Sequence, residues 1–293
     1  MFSEEIIKYE FKGGLPVEFE IVDVPALMLR HRKSLIKPHR TGFYHIFWVQ
    51  APGTHVVDFS PVDLQENTLL FVNKETVQSF NPQGGLNAKA ILFTSTFFGA
   101  SEADVRFLNE TILFNGLGTT SGVHISSGNV SAFAALFAMM EMQSGQQKDD
   151  YQSKILRSLL NSFLLLAERE IHAQKGLVMK TTADRDYLYA FRELLESSFR
   201  SNKQVTFYAG ALSITERRLN QAVYTTLGKT VKQAIDDRVI LEAKRLLAHT
   251  SFSIKEIGFT LGFEEPTNFI KYFRKHTSCT PVEFRQSTLQ VPA

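Results

Sequence analysis

Two short segments near the C-terminal end carry side chains that could read nucleic-acid bases. In the first segment these are Arg217, Asn220 and Gln221, with Tyr224 beside them; in the second they are Thr267, Asn268 and Lys271, followed by Arg274 and Lys275. Amide side chains pair bidentately with adenine, and Arg or Lys with guanine, in the major groove of DNA. A solvated helix face has a similar composition, but two such faces at a fixed offset favour base recognition.

The remaining sequence offers few competing chemistries. It has no Gly-rich phosphate loop, no nucleophile elbow and no Cys/His pair with suitable spacing. The single cysteine, Cys279, excludes an internal disulfide and a cysteine-rich zinc site. The net charge is only +2, but the positive excess follows residue 181, which suits a polyanionic partner.

The sequence predicts neither a secretory signal peptide nor a membrane span. The start, Met1-Phe2-Ser3-Glu4-Glu5, is acidic and lacks the features of a signal peptide. The longest apolar block, residues 133–140, is too short to span a bilayer. We therefore expect a cytoplasmic protein with no membrane partner.

Three zones of composition divide the chain. Up to about residue 125, apolar runs such as 43–49, 55–59, 68–72 and 90–94 alternate with turn residues, which predicts an antiparallel sheet or barrel. From 126 to 175 the period is helical, and Ser126 or Ser127 could cap a first helix that ends before Gly145. Residues 174–182 resemble a linker, and a third, all-helical domain is predicted from 181 to 293.

The second helix of the middle zone has a broad apolar stripe. Its members are Ile155, Leu156, Leu159, Leu160, Phe163, Leu164 and Leu166. Such a stripe covers about half of the helix circumference. It could pack only on the preceding sheet, or it could also contact a second copy of the chain, so a homodimer is one of two readings.

The last third contains a repeated unit. The segment from Tyr208 to Thr215, followed by Leu219 and Val223, matches the segment from Ile257 to Glu264, followed by Phe269 and Phe273. Each has a small residue early, Ala209 or Gly258, then a short turn and a helix with apolar i, i+4 spacing. This is the pattern of a helix-turn-helix, predicted at about 205–226 and 253–276.

A long helix is predicted between the two units, at about 231–249. Ile235, Ala243, Leu246 and Leu247 would be buried against them. A helix of this length measures about 28 Å at 1.5 Å per residue. It could therefore hold two reading helices roughly one DNA turn, about 34 Å, apart.

The sequence motifs of this region resemble those of AraC/XylS-type regulators. The resemblance is carried by 238–247 (RVILEAKRLL), 253–263 (SIKEIGFTLGF), 268–275 (NFIKYFRK) and 280–285 (TPVEFR). It covers about residues 185–287, and its motifs occur in the family's order. It implies a transcription regulator that binds double-stranded DNA and contacts RNA polymerase.

The resemblance assigns roles to residues of both units. Base contacts would fall on Arg217, Asn220 and Gln221 and on Thr267, Asn268 and Lys271. Groups near Ser213, Thr215 and Glu265 would meet phosphates. Two residues depart from the family pattern. Gly258 replaces alanine at a cost of about 1 kcal/mol in helix propensity, and Ser278 replaces a helix-ending glycine. Pro266 is acceptable only in a first turn, which predicts a helix start near Glu264 or Glu265.

The first half resembles the cupin-like domain that often precedes this unit, with residues 39–45, 53–55 and 66–72 carrying the likeness. Catalytic cupins need His-x-His, a carboxylate and a distant His. Here Thr41 replaces the second His, and Gln78 lies near the position of the distant one. His39 with His45 or His55 is a poor metal site, so we expect no metal, no cofactor and no catalysis.

An interior lined by aromatic residues could instead hold a small effector. His39, Phe43, His45 and Phe47 are the candidates, and a filled core is the alternative. Since Phe43, His45 and Phe47 alternate with Tyr44, Ile46 and Trp48, the sequence leaves open which face points inward.

These observations predict an α+β protein: a cupin-like β-barrel over 1–125, a helical dimerisation segment over 126–175 and a DNA-binding domain over 181–293. The predicted function is sequence-specific transcription regulation controlled by a small effector. Two alternatives stand beside it: a metal-dependent cupin enzyme with a helical appendage, and a regulator gated by a partner protein.

Overall fold

A computed structural model describes residues 7–11, 18–74, 76–81, 85–114, 122–146, 149–175 and 182–289. The chain divides into two compact units. We call residues 7–176 the two-sheet unit and residues 177–293 the helical unit. Within the described ranges, no helix combines the length and the apolar character that a membrane span requires.

Ten strands of the two-sheet unit form two five-stranded sheets. Their bounds are β1 Ile7–Tyr9, β2 Phe19–Asp23, β3 His39–Thr41, β4 Tyr44–Val49, β5 Gly53–Val57, β6 Ser60–Leu64, β7 Thr68–Val72, β8 Gln78–Phe80, β9 Ala88–Phe93 and β10 Gly122–His124. One sheet has the order β1-β3-β8-β5-β6, and the other has the order β10-β7-β4-β9-β2. The predicted antiparallel strands are confirmed, with parallel pairing only between β1 and β3 among the described pairs.

The two faces of β4 have different surroundings. Phe43, Phe47 and Val49 belong to a buried cluster that also contains Val57 and Phe80 from the opposite sheet. We call this cluster the intersheet core. On the other face, the ring of Trp48 lies 5.4 Å from that of Phe137 in a covering helix. The face that carries Phe43 and Phe47 is therefore the inward one.

In the described part of the two-sheet unit, five helices accompany the sheets. They are α1 Val24–Leu35, α2 Ser95–Phe98, α3 Glu102–Glu110, α4 Val130–Ser144 and α5 Gln152–Lys175. The predicted cap of α4 was wrong, because the helix begins after Asn129. Ser126 instead donates a hydrogen bond to Glu170 of α5 at 2.8 Å, so it joins the segment before α4 to α5. Gly145 ends α4 as predicted.

The stripe of α5 is only partly covered by its own unit. Leu156, Leu160, Phe163 and Leu164 are buried, whereas Ile155 is 38% exposed. Leu159 and Leu166 are half-buried. On neighbouring α4, Met139 and Met142 are exposed as well. Both helices therefore expose apolar side chains to solvent, and we call these the exposed apolar surface of α4 and α5.

The described residues of the helical unit form seven helices. They are α6 Thr182–Ser198, α7 Val205–Ala211, α8 Glu216–Leu227, α9 Val231–His249, α10 Ile254–Thr260, α11 Pro266–Thr277 and α12 Pro281–Leu289. The pairs α7–α8 and α10–α11 form the two predicted helix-turn-helix units, and α9 is the predicted long helix between them. Residues 176–181, most of the predicted linker, lie outside the described residues. In α9, Ile235, Ala243 and Leu247 are buried as predicted, and Leu246 is half-buried.

Candidate nucleic-acid interface

The apolar side of α8 sets the orientation of its polar side. Leu219, Ala222 and Val223 are fully buried. Thr215 begins the helix, where its hydroxyl oxygen accepts a hydrogen bond from the Arg218 amide at 3.2 Å. Ser213 in the preceding turn has a left-handed backbone, with φ at 55°. The turn and the buried side together leave one face of α8 toward solvent.

Only part of that face is available to a ligand. Arg217 and Gln221 are exposed, and Tyr224 is 61% exposed. Asn220, however, uses its amide within the protein: Nδ2 donates to the Glu216 carbonyl at 3.0 Å, and Oδ1 accepts from the Val231 amide at 3.0 Å. The sequence placed Asn220 among base contacts, but its side chain fastens α8 to the start of α9.

The polar side of α11 is more open. Phe269 and Phe273 are fully buried, which turns the opposite face outward. That face exposes Thr267, Asn268, Lys271, Arg274 and Lys275. The helix starts at Pro266 with Glu265 as its N-cap residue, as the sequence predicted. This face therefore presents three cations and one amide, against one cation and one amide on α8.

The residues expected near phosphates lie at the starts of α8 and α11, the two predicted reading helices. Ser213, Thr215 and Glu265 are all exposed. The Thr215 hydroxyl is already engaged as a cap, while Glu265 makes no side-chain cap bond. Backbone amides in the first turn of a helix carry partial positive charge. The starts of α8 and α11 therefore suit an anion through these amides more than through the side chains.

An ion-pair network fastens α9 to α6. The Arg238 guanidinium donates to both carboxylate oxygens of Glu196, at 2.8 and 3.0 Å, and to Glu242 at 3.1 Å. It also stacks 4.0 Å from the Phe199 ring centroid. Burial alone would lower the pKa of Arg238, but the two carboxylates raise it. Burial also works to raise the pKa of Glu242, but Arg238 and Arg200 lower it. Both groups therefore stay charged at neutral pH.

A second polar contact fastens α9 to α11. The Tyr272 hydroxyl donates to Asp236 Oδ1 at 2.6 Å, and Lys232 Nζ reaches the same oxygen at 2.6 Å. Burial, then the hydrogen bond and charge of Asp236, raise the pKa of Tyr272 well above its usual value. Tyr272 therefore remains a hydrogen-bond donor, and α9 is held to both units.

The structure shows the surroundings of Gly258 and the conformation of Ser278, the two residues that depart from the AraC/XylS-type pattern. A Cβ at Gly258 would lie 3.2 Å from the Cβ of Phe269, so the absence of a side chain lets α10 and α11 cross closely. Ser278 ends α11 in a left-handed conformation with φ at 63°. The helix thus ends at Ser278 in the geometry for which the family uses glycine, at a conformational cost that glycine would avoid.

The effector candidates of the two-sheet unit converge in the intersheet core. His39, Phe43, His45 and Phe47 are all buried. The ring centroids of Phe43 and His45 are 5.0 Å apart, and those of His45 and Phe47 are 5.6 Å apart. His39 stacks on Phe80 at 6.5 Å. The predicted set is therefore a single aromatic cluster.

Two residues outside the predicted set organise its polar groups. His55 Nε2 donates to Gln78 Oε1 at 2.9 Å, and Gln78 Nε2 donates to His45 Nε2 at 3.2 Å. His39 Nδ1 donates to the Lys37 carbonyl at 2.9 Å. These partners leave the Nδ1 lone pair of His55 without a hydrogen bond among the described residues. The sequence drew attention to His55 and Gln78 only as members of a failed metal motif.

Burial keeps these imidazoles neutral. It lowers the pKa of His39 and of His45, and it lowers the pKa of His55 to about 4 despite the opposing bond from Gln78. Across the described ranges, no group of three or more His, Cys, Asp or Glu side chains is arranged to hold a metal ion. The cluster offers neutral hydrogen-bonding groups among aromatic rings.

Comparison with known proteins shows what the helical unit is similar to. Residues 208–287 match a family model described as a helix-turn-helix domain. The HTH-type transcriptional activator RhaS of Escherichia coli strain K12 is 24% identical over 249 residues, which cover 85% of this chain and 87% of the relative. The matched family segment begins in α7 and ends in α12, so it contains both reading helices.

Two solved structures are also similar. ToxT from Vibrio cholerae O395 is 14% identical with a TM-score of 0.43, covering 98% of this chain and 96% of that one. A transcriptional regulator from Chromobacterium violaceum, described by its AraC-type DNA-binding domain, is 24% identical with a TM-score of 0.34. It covers 38% of this chain and 100% of that one.

Proposed function

We propose that the protein is a sequence-specific DNA-binding transcription regulator of the AraC type, controlled through its two-sheet unit. The match of residues 208–287 to a helix-turn-helix family model supports this proposal. The observation that carries the proposal is the pair of exposed polar faces on α8 and α11. Each of these helices follows a short turn and buries its apolar face, and α9 contacts both helix-turn-helix units. Reading helices that enter successive major grooves need this arrangement.

Base reading is assigned to the residues that are free on those faces. We propose Arg217 and Gln221 on α8, and Thr267, Asn268 and Lys271 on α11, as base contacts. Asn220 is retained as a residue that aligns α8 with α9, because both ends of its amide are engaged. Ser213, Thr215 and Glu265 mark the phosphate contacts, made mainly through backbone amides.

Control by a small molecule is the second part of the proposal. The intersheet core supplies His39, Phe43, His45 and Phe47 as candidate contacts. A ligand with a hydroxyl donor and a flat or apolar body would suit it, since His55 offers a bare Nδ1 lone pair among aromatic rings. Neutral imidazoles disfavour a ligand that requires a fixed positive charge beside it.

The oligomer and partners complete the proposal. The exposed apolar surface of α4 and α5 would pair with a second copy to form a homodimer, because that surface carries few charges to oppose self-association. The DNA-bound dimer would contact RNA polymerase in the cytoplasm. RhaS is named a transcriptional activator, so activation, as opposed to repression, is the first effect on transcription to test.

Two other functions make distinct predictions. A metal-dependent cupin enzyme would hold stoichiometric iron, manganese or zinc after purification, and elemental analysis would detect it. A regulator gated by a partner protein would show no heat of binding across a panel of small metabolites in calorimetry. We propose that the protein is not an enzyme, because among the described residues no carboxylate joins the core histidines in a group that could hold a metal ion.

The decisive experiment is selection of bound sites from random duplex DNA at stated salt concentration. We expect enrichment of a site with two separate sequence boxes, one for each reading helix. A double variant, Arg217→Ala with Lys271→Ala, serves as the control and should enrich neither box. Equal recovery of all sequences by the unmodified chain in dilute buffer would refute the proposal.

A further inference from the structure

The turn between α6 and α7, residues 199–204, lies against the turn between α10 and α11, residues 261–265. We call these the entry turn and the second turn. Gly262 of the second turn has φ at 73°, and a Cβ on it would overlap the carbonyl oxygen of Arg200 in the entry turn. The two backbones therefore touch at a point where only glycine fits.

Lys203 spans this contact. Its Nζ donates to the Arg200 carbonyl at 3.0 Å and lies 3.5 Å from the Gly262 carbonyl oxygen. It also sits 4.6 Å from the ring centroid of Phe263. One ammonium thus bonds to both turns and covers an aromatic ring of the second unit. Burial, and then the charge of Lys232, lower the pKa of Lys203.

The same junction is joined to the long helix. Lys232 of α9 donates to the Lys203 carbonyl at 3.3 Å and to Asp236 at 2.6 Å, and Asp236 accepts from Tyr272 of α11. On the other side, the buried Tyr208 of α7 donates to the Asn202 carbonyl at 2.8 Å. The entry turn is therefore bonded to α7, α9 and the second helix-turn-helix unit at once.

We infer that Lys203 is a positioning residue that locks the two helix-turn-helix units into one rigid body and so fixes the spacing between the two DNA boxes. This inference rests on the proposed function, since it concerns how that function discriminates among sites. Lys203 takes no part in base reading itself, because its ammonium is directed to backbone carbonyls of the two turns. Its effect is on the separation and rotation of α8 relative to α11.

Rigid coupling has a measurable consequence on DNA. One extra base pair between the boxes rotates the second by about 35°, because a turn holds about 10–10.5 base pairs. A rigid protein cannot follow that rotation without losing the base contacts of one helix. We expect the unmodified chain to lose on the order of 100-fold in affinity for a site with one inserted pair, as each lost base contact costs about tenfold or more.

The variant Lys203→Met keeps the apolar stem and removes the ammonium. We expect it to lose less than about tenfold on the inserted site relative to its own affinity for the natural spacing. Lys244→Met is the matched control, since Lys244 also lies over an aromatic ring, that of Phe284 at 5.8 Å, away from both turns. The control should retain the 100-fold discrimination. Lys203→Met could instead weaken binding by the same factor at every spacing, relative to the unmodified chain. That result would show that only a charge was removed, and it would overturn the inference.

A measurement without DNA separates this inference from the proposed function. Nitroxide labels at Gln221→Cys and Lys271→Cys, with Cys279→Ser to remove the native thiol, report the distance between α8 and α11 by pulsed dipolar spectroscopy. A single narrow distribution is expected, broadened by Lys203→Met and unaltered by Lys244→Met. An equally narrow distribution in the Lys203→Met variant would overturn the inference even if DNA binding is sequence-specific. Broadening would support it even if the DNA selection failed.

Discussion

The two helix-turn-helix units have the same left-handed backbone conformation at two positions, but they place glycine and serine there in opposite order. In the first unit, the left-handed residue of the turn is Ser213 and that of the helix end is Gly228; in the second, they are Gly262 and Ser278. A left-handed serine costs about 1–2 kcal/mol relative to glycine. Each unit thus accepts one strained serine, and the glycine of each lies at a different site.

The difference follows from what surrounds each turn. The second turn touches the entry turn, so Gly262 has no room for a side chain, whereas a Cβ on Gly228 would meet nothing within 4 Å. In the first turn, by contrast, a residue with a side chain holds the left-handed position, since Ser213 has φ at 55°. Repetition of a motif therefore conserves backbone geometry, while the residue at each position depends on the contacts that one copy alone makes.

The largest effect should come from the two glycines themselves. Gly262→Ala places an alanine in a left-handed conformation and makes its Cβ overlap with Arg200. We therefore expect a loss of about 3 kcal/mol or more in unfolding free energy. Gly228→Ala bears only the conformational cost, about 1 kcal/mol. Denaturant unfolding of the helical signal by circular dichroism measures both. Equal losses would mean that the turns do not differ in crowding.

Lowering the pH should reduce the stability of the two-sheet unit, which contains the buried histidines, more than that of the helix-turn-helix units. His55 titrates near pH 4 when folded and near 6.5 when unfolded. Because the unfolded chain binds the proton more readily, stability is complete above pH 6.5 and falls by about 3 kcal/mol as the pH drops through 4. His45, whose pKa is also lowered, adds to the loss.

The single tryptophan makes this measurement specific. Trp48 is buried in β4, so its fluorescence reports the two-sheet unit alone. We expect its urea midpoint to be lower at pH 5 than at pH 7.5, and the variant His55→Gln to show a smaller dependence on pH. A midpoint that does not change between these values would contradict the neutral, buried state of the histidines.

The unequal charge of the two reading faces should appear in DNA binding. Arg217→Ala and Lys271→Ala should each weaken binding to the selected site by about 1–3 kcal/mol if each residue reads a base. The loss from Arg217→Ala should be confined to the box read by α8, because Arg217 lies on that helix and is the one cation that its described exposed face presents. Equal loss on all sequences, with a salt slope reduced by about 1, would reassign either residue to a phosphate.

The sequence predicted the reading helices well because their faces depend on local periodicity. The buried positions of α8 and α11, the span of α9 and the start of α11 at Pro266 all follow from residues within a few turns of one another. What the sequence missed depends on distant residues. The bond of His55 to Gln78 requires the register between β5 and β8, and Ser126 bonds to Glu170, 44 residues away, instead of capping α4. Periodicity contains no information about either pair.

The smallest expected difference separates two asparagines that the sequence treated alike. Asn220→Ala removes the bonds to Glu216 and Val231 and leaves the Val231 amide of α9 unpaired, so it should lower the unfolding free energy by about 1–2 kcal/mol. Asn268→Ala, on an exposed face, should leave stability within about 0.5 kcal/mol and weaken only the box read by α11. Unfolding curves and site-resolved binding together measure both variants. If Asn220→Ala were as stable as the unmodified chain yet lost one DNA box, Asn220 would be a base contact after all, and the two reading faces would be more alike than their hydrogen bonds indicate.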